Sequence, residues 1–174
     1  MHPLIEKLIK EGPVVTDGSW GTQLQNRGLK RGECPDSWNL SHPERVEEVA
    51  GQYVEAGSQI ILTNTFGGNR LSLERFNMGD KAVAINIAGV EISKKVAGNR
   101  AAVFASIGPT GKMLLTKETT EAELQNAFEE QADAQARAGA DGIIVETMID
   151  ITEAGIAARA AKRTGLPVIA SMVF

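Results

Sequence analysis

Short apolar runs rich in β-branched residues alternate along the chain with longer segments whose apolar residues recur every three or four positions. The short runs predict buried strands, and the longer segments predict amphipathic helices. Such alternation is typical of a parallel sheet with helical crossovers, so the pattern indicates an α/β fold. The predicted strands are Val14–Thr16, Ile60–Thr65, Ala101–Ser106, Gly142–Thr147 and Val168–Val173.

An internal repeat narrows the choice of α/β architecture. The segment Ala56–Thr65 aligns with Ala138–Thr147, because in each a helix-ending glycine precedes a buried strand that finishes in a polar residue and a threonine. The alignment makes Asn64 and Glu146 equivalent positions. Polar groups at the carboxyl ends of successive strands are typical of a (β/α)8 TIM barrel, in which ligands bind at that face. A doubly wound open sheet is the alternative, although no Gly-x-Gly-x-x-Gly motif follows the first strand.

The length of the chain changes the expected architecture. A complete eight-stranded barrel takes about 250 residues, whereas this chain has 174. We therefore expect a partial barrel, in which residues 1–174 supply the first five strands and four crossover helices of a single domain. Unpaired strand edges are sites for pairing with further strands, so we also expect the chain to associate with another copy of itself or with the remaining part of the barrel.

Composition and charge exclude several classes of function. The formal net charge of −4 and the pI near 5.3 indicate no basic surface for nucleic acid. The single cysteine, Cys34, excludes an internal disulfide framework. No apolar run approaches the roughly 18 residues that a membrane span needs, and the amino terminus lacks the features of a signal peptide. We therefore expect a cytoplasmic protein without a membrane or nucleic-acid partner.

The segment Asp17–Thr22, with the sequence DGSWGT, directly follows the first predicted strand. A strand that ends in an acid and then breaks into glycines brings a carboxylate and several free backbone N–H groups to one place. This combination suits a small zwitterion such as an amino acid. A plain strand-ending turn is the alternative, because Asp-Gly is also common in turns.

Five motifs together resemble one known protein family, the homocysteine S-methyltransferase domain. Within that family, the chain looks most like the amino-terminal homocysteine-binding module of cobalamin-dependent methionine synthase. Each motif alone fits a turn or a strand end, but five in the right order are far more specific, and they extend over essentially the whole chain. The motifs are DGSWGT at 17–22, CPDSWNLSHPE at 34–44, TNTFGGN at 63–69, GPTGK at 108–112 and ETM at 146–148.

The resemblance implies a (β/α)8 barrel that transfers a methyl group to the zinc-bound thiolate of homocysteine, yielding methionine. In the family the zinc ligands are cysteines on late segments of the barrel, and their positions would fall beyond Phe174. The resemblance thus assigns to this chain the amino-acid-recognition half, without catalytic or metal-ligating residues. It leaves the methyl donor open among a methylcobalamin-bearing domain or protein, a betaine and a sulfonium compound. Cobalamin or folate would take part through other domains or partners.

The resemblance also implies which residues recognise homocysteine. Asp17 and Glu146 would hold the ammonium group, and the backbone N–H groups of Gly18, Ser19 and Trp20 would receive the carboxylate. Two carboxylates that converge on one site repel each other unless a cation lies between them, and a bound ammonium is such a cation. The alternative for Glu146 is that it caps the following helix or pairs with an Arg or Lys.

Asn64 has two interpretations that the sequence leaves open. It hydrogen-bonds the substrate or orients one of the acids, or it satisfies a neighbouring loop. Trp20 and Phe66 are interpreted as pocket walls or as aromatic side chains packed beneath their loops. The remaining polar residues near strand ends are interpreted as supporting or structural: Thr65, Ser106, Thr147 and Ser171.

Two further features are not interpreted as sites for chemistry. Cys34 lies in the connection Gln23–Leu40, and a lone thiol cannot form a structural zinc site, which needs four ligands. That connection, about 18 residues, is long for a loop between a strand and a helix and is interpreted as a lid. The GPTGK loop departs from the Walker pattern at Ser106 and Met113, which excludes nucleotide hydrolysis.

Two other functions stay open at this stage. One is a related barrel methyltransferase that acts on another thiol or on a corrinoid protein. The other is a non-catalytic half barrel whose main property is self-association.

Overall fold

The computed structural model describes residues 2–10 and 12–174 and shows a parallel sheet with helices packed against it. Among the described residues the sheet has four strands in the spatial order β1-β2-β3-β4, each parallel to its neighbour. The sheet is not closed, and the α/β partial barrel expected from the sequence is confirmed. The strands are β1 Ile60–Leu62, β2 Ala102–Ile107, β3 Gly142–Met148 and β4 Val168–Met172.

Four long helices, α4, α6, α7 and α8, occupy the predicted crossover positions. Two short 3-10 helices, Glu74–Phe76 and Gly79–Lys81, precede α6. Within the described segments, none of the helices combines the length and apolar character needed to cross a membrane. The α-helices are α1 Pro3–Ile9, α2 Trp20–Asn26, α3 Trp38–Ser41, α4 Pro43–Glu55, α5 Arg70–Leu73, α6 Ala82–Ala97, α7 Glu121–Arg137 and α8 Ile151–Arg163.

The first predicted strand, Val14–Thr16, is not formed as a strand, and this prediction was wrong in its extent. Only Thr16 pairs with β1, through an isolated parallel bridge to Ile60. The Gln59 side chain accepts a 3.0 Å hydrogen bond from the Val15 N–H. Because a side chain takes this donor, the Val15 N–H does not contribute to a ladder. The segment still runs alongside β1, which places Asp17 next to the carboxyl end of that strand.

Strand β1 ends at Leu62, before the predicted boundary at Thr65. Beyond Leu62, threonine hydroxyl groups take the place of the backbone groups that would bond to β2 in a regular ladder. The Thr63 hydroxyl accepts a 3.1 Å hydrogen bond from the Ser106 N–H. The Thr65 hydroxyl donates a 2.8 Å hydrogen bond to the Ser106 carbonyl. The end of β1 therefore remains attached to β2 although its backbone leaves the regular ladder.

A Ser or Thr followed three residues later by Glu predicts two helix starts, at Ser41–Glu44 and at Thr120–Glu123, and the capping geometry confirms the second. Thr120 and Glu123 form a reciprocal capping box at the start of α7. At α4 the corresponding prediction for Ser41 was wrong, because Ser41 is the last residue of α3 and donates to the Ser37 carbonyl at 3.2 Å. Helix α4 begins instead at Pro43, a residue that suits the first helical position.

The largest apolar core lies between strands β2 and β3 and helices α7 and α8. Its fully buried members include Ile107, Phe128, Ile143 and Met148. Strand β4 is different, because its middle residue positions are exposed and Ile169 retains 37% of its accessible surface. The described sheet therefore has one well-covered region and one exposed outer strand.

A cluster of buried amide side chains joins α6 and α7 to the sheet. Gln135 donates hydrogen bonds to the Thr65 hydroxyl at 3.1 Å, to the Ser106 carbonyl at 3.0 Å and to the Asn86 side chain at 2.9 Å. Gln131, one turn earlier, donates to the Thr65 carbonyl at 2.8 Å. The cluster fixes α7 against the ends of β1 and β2.

Candidate functional site

A cavity of about 360 Å³ lies at the carboxyl end of the sheet. This is within the usual range for small-molecule sites. The cavity brings together segments that are far apart in the sequence, as the alignment of Asn64 with Glu146 predicted. Among the predicted site residues, those that line it are Gly18, Ser19, Trp20, Asn64 and Glu146.

Asp17, the remaining predicted site residue, is bonded to two lining residues. Its Oδ2 accepts a 2.7 Å hydrogen bond from the Leu62 N–H and a 2.8 Å hydrogen bond from the Trp20 indole N–H. Its other oxygen, Oδ1, is buried and has no hydrogen-bond partner within the described parts of the chain. The carboxylate is therefore held firmly by one oxygen, and the second oxygen has unused acceptor capacity directly behind the cavity wall.

The electrostatics of Asp17 are those of a carboxylate that lacks a cation. Burial, together with a smaller contribution from the nearby Glu146 carboxylate, raises the pKa of Asp17 from its ordinary value of 3.8 to about 6. The hydrogen bonds from Leu62 and Trp20 act in the opposite direction. A positively charged group placed between Asp17 and Glu146 would favour the ionised form of Asp17.

Glu146 is positioned by β2, the strand adjacent to its own. Ser106 donates a 2.6 Å hydrogen bond from its hydroxyl to Glu146 Oε1. The helix-capping alternative is wrong, because Asp150 caps α8 by accepting from the N–H groups of Thr152 and Glu153. Over the described residues, no Arg or Lys forms an ion pair with Glu146. Its carboxylate is therefore available at the cavity.

The Gly18–Trp20 segment turns the backbone into helix α2. Ser19 caps this helix by accepting from the Thr22 N–H, and Trp20 is its first residue. The earliest N–H groups of a helix have no acceptor within the helix, and none of the loop and turn hydrogen bonds of the described chain uses the N–H of Gly18 or Ser19. A Cβ on Gly18 would lie 3.2 Å from the Tyr53 hydroxyl. The absence of a side chain at Gly18 therefore lets the backbone of this turn pack closely against Tyr53.

Asn64 lines the cavity but uses its amide for the neighbouring loop. Its Nδ2 donates to the Pro35 carbonyl at 2.8 Å and to Asn39 Oδ1 at 2.9 Å. Asn39 returns a 2.8 Å hydrogen bond to the Asn64 carbonyl. These contacts favour the interpretation that Asn64 satisfies a neighbouring loop, with its donors directed away from any ligand.

Asp36 also lines the cavity, although no pattern in the sequence indicates a role for it. It is 6% exposed, and its Oδ1 accepts a 2.9 Å hydrogen bond from the Gly67 N–H. Burial raises the pKa of Asp36 to about 6, with hydrogen bonds and the Arg75 charge acting in the opposite direction. The only sequence signal for Asp36 was its position inside the motif CPDSWNLSHPE.

Phe66 and the GPTGK loop lie against each other beside the cavity. Phe66 lines the cavity and its ring lies against Gly108, where an added Cβ would approach the ring to 2.5 Å. Thr110, in the GPTGK loop, donates from both its N–H and its hydroxyl to the buried Glu153 carboxylate, at 2.8 and 2.7 Å. The GPTGK loop is thereby fixed beside the cavity by a helix α8 side chain.

Cys34 is buried in the connection between α2 and α3. The Cys34 side chain is 4% exposed, and burial raises the pKa of its thiol. The connection Gln23–Leu40, interpreted as a lid, is shorter than predicted because α2 continues to Asn26. In the described part of the chain, no three His, Cys, Asp or Glu side chains come together as a metal site.

Comparison with protein families gives a match over most of the chain. The family profile described as Homocysteine S-methyltransferase matches residues 14–174. A methionine synthase of Mycobacterium leprae (strain TN) is 30% identical over 164 residues, which are 86% of this chain and 13% of that protein. Betaine–homocysteine S-methyltransferase 1 of Bos taurus is 29% identical over 175 residues, 97% of this chain and 42% of that protein. The chain therefore spans less than half the length of these relatives.

Solved structures support the fold. The metallated form of the homocysteine methyltransferase MmuM from Escherichia coli superposes with a TM-score of 0.81 at 20% sequence identity, over 98% of this chain and 66% of that one. The oxidized form of the same enzyme gives a TM-score of 0.80 at 19% identity.

Proposed function

Because the chain belongs to the homocysteine S-methyltransferase family, we propose that it supplies the amino-acid-recognition part of a homocysteine S-methyltransferase. The observation that carries the proposal is the proximity of two carboxylates, Glu146 in the cavity wall and Asp17 directly behind it, to which no cation of the described chain is paired. The assignment of residues 1–174 to a single homocysteine-binding domain stays a prediction.

The ammonium group of homocysteine would bind between the two carboxylates. The buried Oδ1 of Asp17 has no partner among the described residues, and Glu146 contributes a second negative charge. An ammonium group has three donors and one positive charge, so it can satisfy Asp17 Oδ1 and Glu146 together. The hydrogen bond from Ser106 keeps the Glu146 carboxylate at the cavity.

The carboxylate of homocysteine would bind at the turn into α2. The backbone N–H groups of Gly18, Ser19 and Trp20 precede or begin that helix, where free donors favour an anion. The segment that follows Asp17 would thus bind the carboxylate, and Asp17 itself, together with Glu146 on β3, would bind the ammonium group. The thiol-bearing side chain would extend into the remaining cavity, towards Phe66 and Thr147.

The residues of this chain do not fit a zinc site. Cys34 is the single cysteine, it is buried, and none of the described residues assemble into a metal-ligating group. We therefore assign recognition to this chain, and no metal-dependent step. In the proposed enzyme, zinc and a methyl donor would be supplied from outside the segment, the donor being a methylcobalamin-bearing domain, a betaine or a sulfonium compound. Involvement of cobalamin or folate, and a cytoplasmic location, stay predictions.

Calorimetric titration of homocysteine into the chain tests this function. Because a hydrogen bond to a charged group contributes about 1.5–3 kcal/mol, we expect Glu146→Gln and Asp17→Asn each to weaken binding by at least about tenfold. The matched controls, Glu91→Gln and Asp133→Asn, change exposed acids on α6 and α7 and should leave the affinity unchanged. Equal affinities for the Glu146→Gln variant and the unmodified chain, with both folded, would exclude the assignment.

A second ligand distinguishes homocysteine recognition from recognition of other thiols. The compound 4-mercaptobutanoate keeps the thiol and the carboxylate of homocysteine but lacks the ammonium group. We expect it to bind much more weakly than homocysteine and to be insensitive to Glu146→Gln. Equal binding of the two compounds would favour a barrel methyltransferase that acts on a different thiol.

A further inference from the structure

Thr147, the residue after Glu146, has a backbone conformation that is unusual for its type. Its φ angle is +61°, in the left-handed region. Among the described non-glycine residues, Asn77 and Lys117 also have positive φ angles, but only Thr147 is β-branched. Branching at Cβ makes this region costly, and such strain persists only where the surrounding structure imposes it.

The strained residue belongs to a bulge in β3. Val145 is paired with Ala170 and Met148 with Met172, so that Glu146 and Thr147 together stand opposite one residue of β4. In a regular strand, Thr147 would follow Val145 onto the core-facing side. Instead Thr147 is exposed, and Met148 is fully buried in the main core.

The bulge allows Glu146 and Met148 to lie on opposite faces of the sheet. Because the extra residue is accommodated immediately after Glu146, the strand can place Met148 in the core while Glu146 stays on the cavity side, bonded to Ser106 at 2.6 Å. Bulges beside active sites commonly redirect a side chain in this way. The Thr147 hydroxyl itself has no hydrogen bond within the described structure, so the strain is not offset by a contact of that side chain.

We propose that Thr147 is a positioning residue, whose left-handed backbone conformation closes the β3 bulge and thereby holds the Glu146 carboxylate in the ammonium site. The inference rests on the proposed function, because the ligand concerned is the ammonium group of homocysteine. Its structural part concerns the backbone angle of residue 147 and makes no use of the threonine hydroxyl.

Substitutions that permit or forbid a positive φ angle test the proposal on homocysteine affinity. Asn tolerates the left-handed region, so Thr147→Asn should bind homocysteine within about twofold of the unmodified chain. Proline fixes φ near −65°, and misplacement of a binding group by about 1 Å is costly, so Thr147→Pro should bind at least about tenfold more weakly. Ile151→Pro is the matched control, because proline is tolerated at the first position of α8 and Asp150 before it is already extended. Its affinity should be unchanged.

A ligand-independent measurement separates this proposal from the proposed function. The shift in urea midpoint caused by Ser106→Ala should be clearly smaller in the Thr147→Pro background, where Glu146 no longer reaches Ser106, than in the unmodified chain. If the unmodified chain fails to bind homocysteine, the proposed function fails, and this shift alone decides the role of Thr147. Equal shifts in the two backgrounds would overturn that role, as would a folded Thr147→Pro variant with full affinity.

A further pair of variants decides the matter if Thr147→Pro does not fold. Glycine visits positive and negative φ angles about equally, so it holds the bulge less firmly than asparagine. We expect Thr147→Gly to bind homocysteine about threefold more weakly than Thr147→Asn. Equal affinities for the glycine and asparagine variants would then overturn the proposal.

Discussion

Ser106 and Glu146 lie on neighbouring strands and are joined by a 2.6 Å hydrogen bond from the serine hydroxyl to the carboxylate. The main-chain carbonyl of the same serine receives hydrogen bonds from Thr65 and Gln135. Ser106 therefore connects a cavity carboxylate to the buried amide cluster, so the position of Glu146 depends on β2, on the segment that follows β1, and on α7.

Removal of the Ser106 hydroxyl should affect binding more than folding. We expect Ser106→Ala to weaken homocysteine binding by about tenfold, because a hydrogen bond to a charged group is lost and Glu146 becomes less constrained. Ser171→Ala is the matched control, since Ser171 is an exposed serine on β4. Calorimetry on both variants gives the comparison, and equal affinities would contradict the role of Ser106.

Homocysteine binding should strengthen as the pH rises from about 5 to about 7. The pKa of Asp17 is raised to about 6 by burial and by Glu146. Below neutral pH, a fraction of the ligand-free molecules therefore carries a proton on Asp17. Because an ammonium ligand favours the ionised carboxylate, binding at low pH must release a proton. Calorimetry in buffers of different ionisation enthalpy measures this release. The release should disappear in Asp17→Asn, and its persistence there would assign it to another group.

The stability of the folded chain should have a component that falls with rising pH. Asp36 is buried, and its pKa in the folded state is about 6, above the ordinary value of 3.8. Between about pH 4 and pH 6 the folded state therefore binds more protons at Asp36 than the unfolded state, and the free energy of unfolding decreases as the pH rises. Urea unfolding at both ends of this window should show the decrease, and Asp36→Asn should remove part of it. Asp133→Asn, which changes an exposed acid, should leave it intact.

Two helical glycines should respond to alanine in opposite directions. A Cβ on Gly89 would lie 2.6 Å from both Asn39 Nδ2 and Thr65 Cγ2, in the buried contact between α6 and the β1 end. We expect Gly89→Ala to destabilise the chain by about 1–3 kcal/mol through overpacking. Gly51 on α4 meets its nearest atom at 3.7 Å, so Gly51→Ala should stabilise the chain by about 0.5–1 kcal/mol through helix propensity. Urea unfolding of both variants checks the signs.

Copies of the chain should associate in solution. Strand β4 is an outer strand of the described sheet and exposes Ile169, and Val173 beyond it is 51% exposed. An exposed apolar strand with unpaired backbone groups favours pairing with another strand. Light scattering at micromolar concentration should detect a dimer or larger species, and Ile169→Lys should shift the population towards monomer. A stable monomer before the substitution would contradict this expectation.

Much of the fold was predictable because hydrophobic periodicity reports burial directly. The strands β2, β3 and β4 begin and end close to their predicted limits, since each is a compact apolar run. The segment at Val14–Thr16 has the same composition but forms only one bridge, because the Gln59 side chain takes the Val15 N–H. A local pattern does not report such a long-range competitor.

The candidate site was predictable where the repeat fixed the position of a side chain at a strand end. Glu146 and Asn64 were placed at one edge in this way, and both line the cavity. Asp36 was missed because tertiary contacts bring it to the cavity, where its carboxylate accepts a hydrogen bond from the Gly67 N–H of another segment. The positive φ angle of Thr147 could not be predicted from the sequence either, since threonine gives no indication of a left-handed backbone.

The buried amide side chains of α7 restrict the position of that helix along its own axis. Gln131 and Gln135 lie one turn apart, and the residues beside them in the core are small, such as Ala132 and Ala134. Small apolar side chains alone would tolerate a helix that slips by one turn. Such a slip would leave Thr65, Ser106 and Asn86 without their present donors, at a high cost in a buried environment. Polar matching between α7 and the ends of β1 and β2, added to the packing of Leu124 and Phe128, therefore favours correct assembly of the cavity edge.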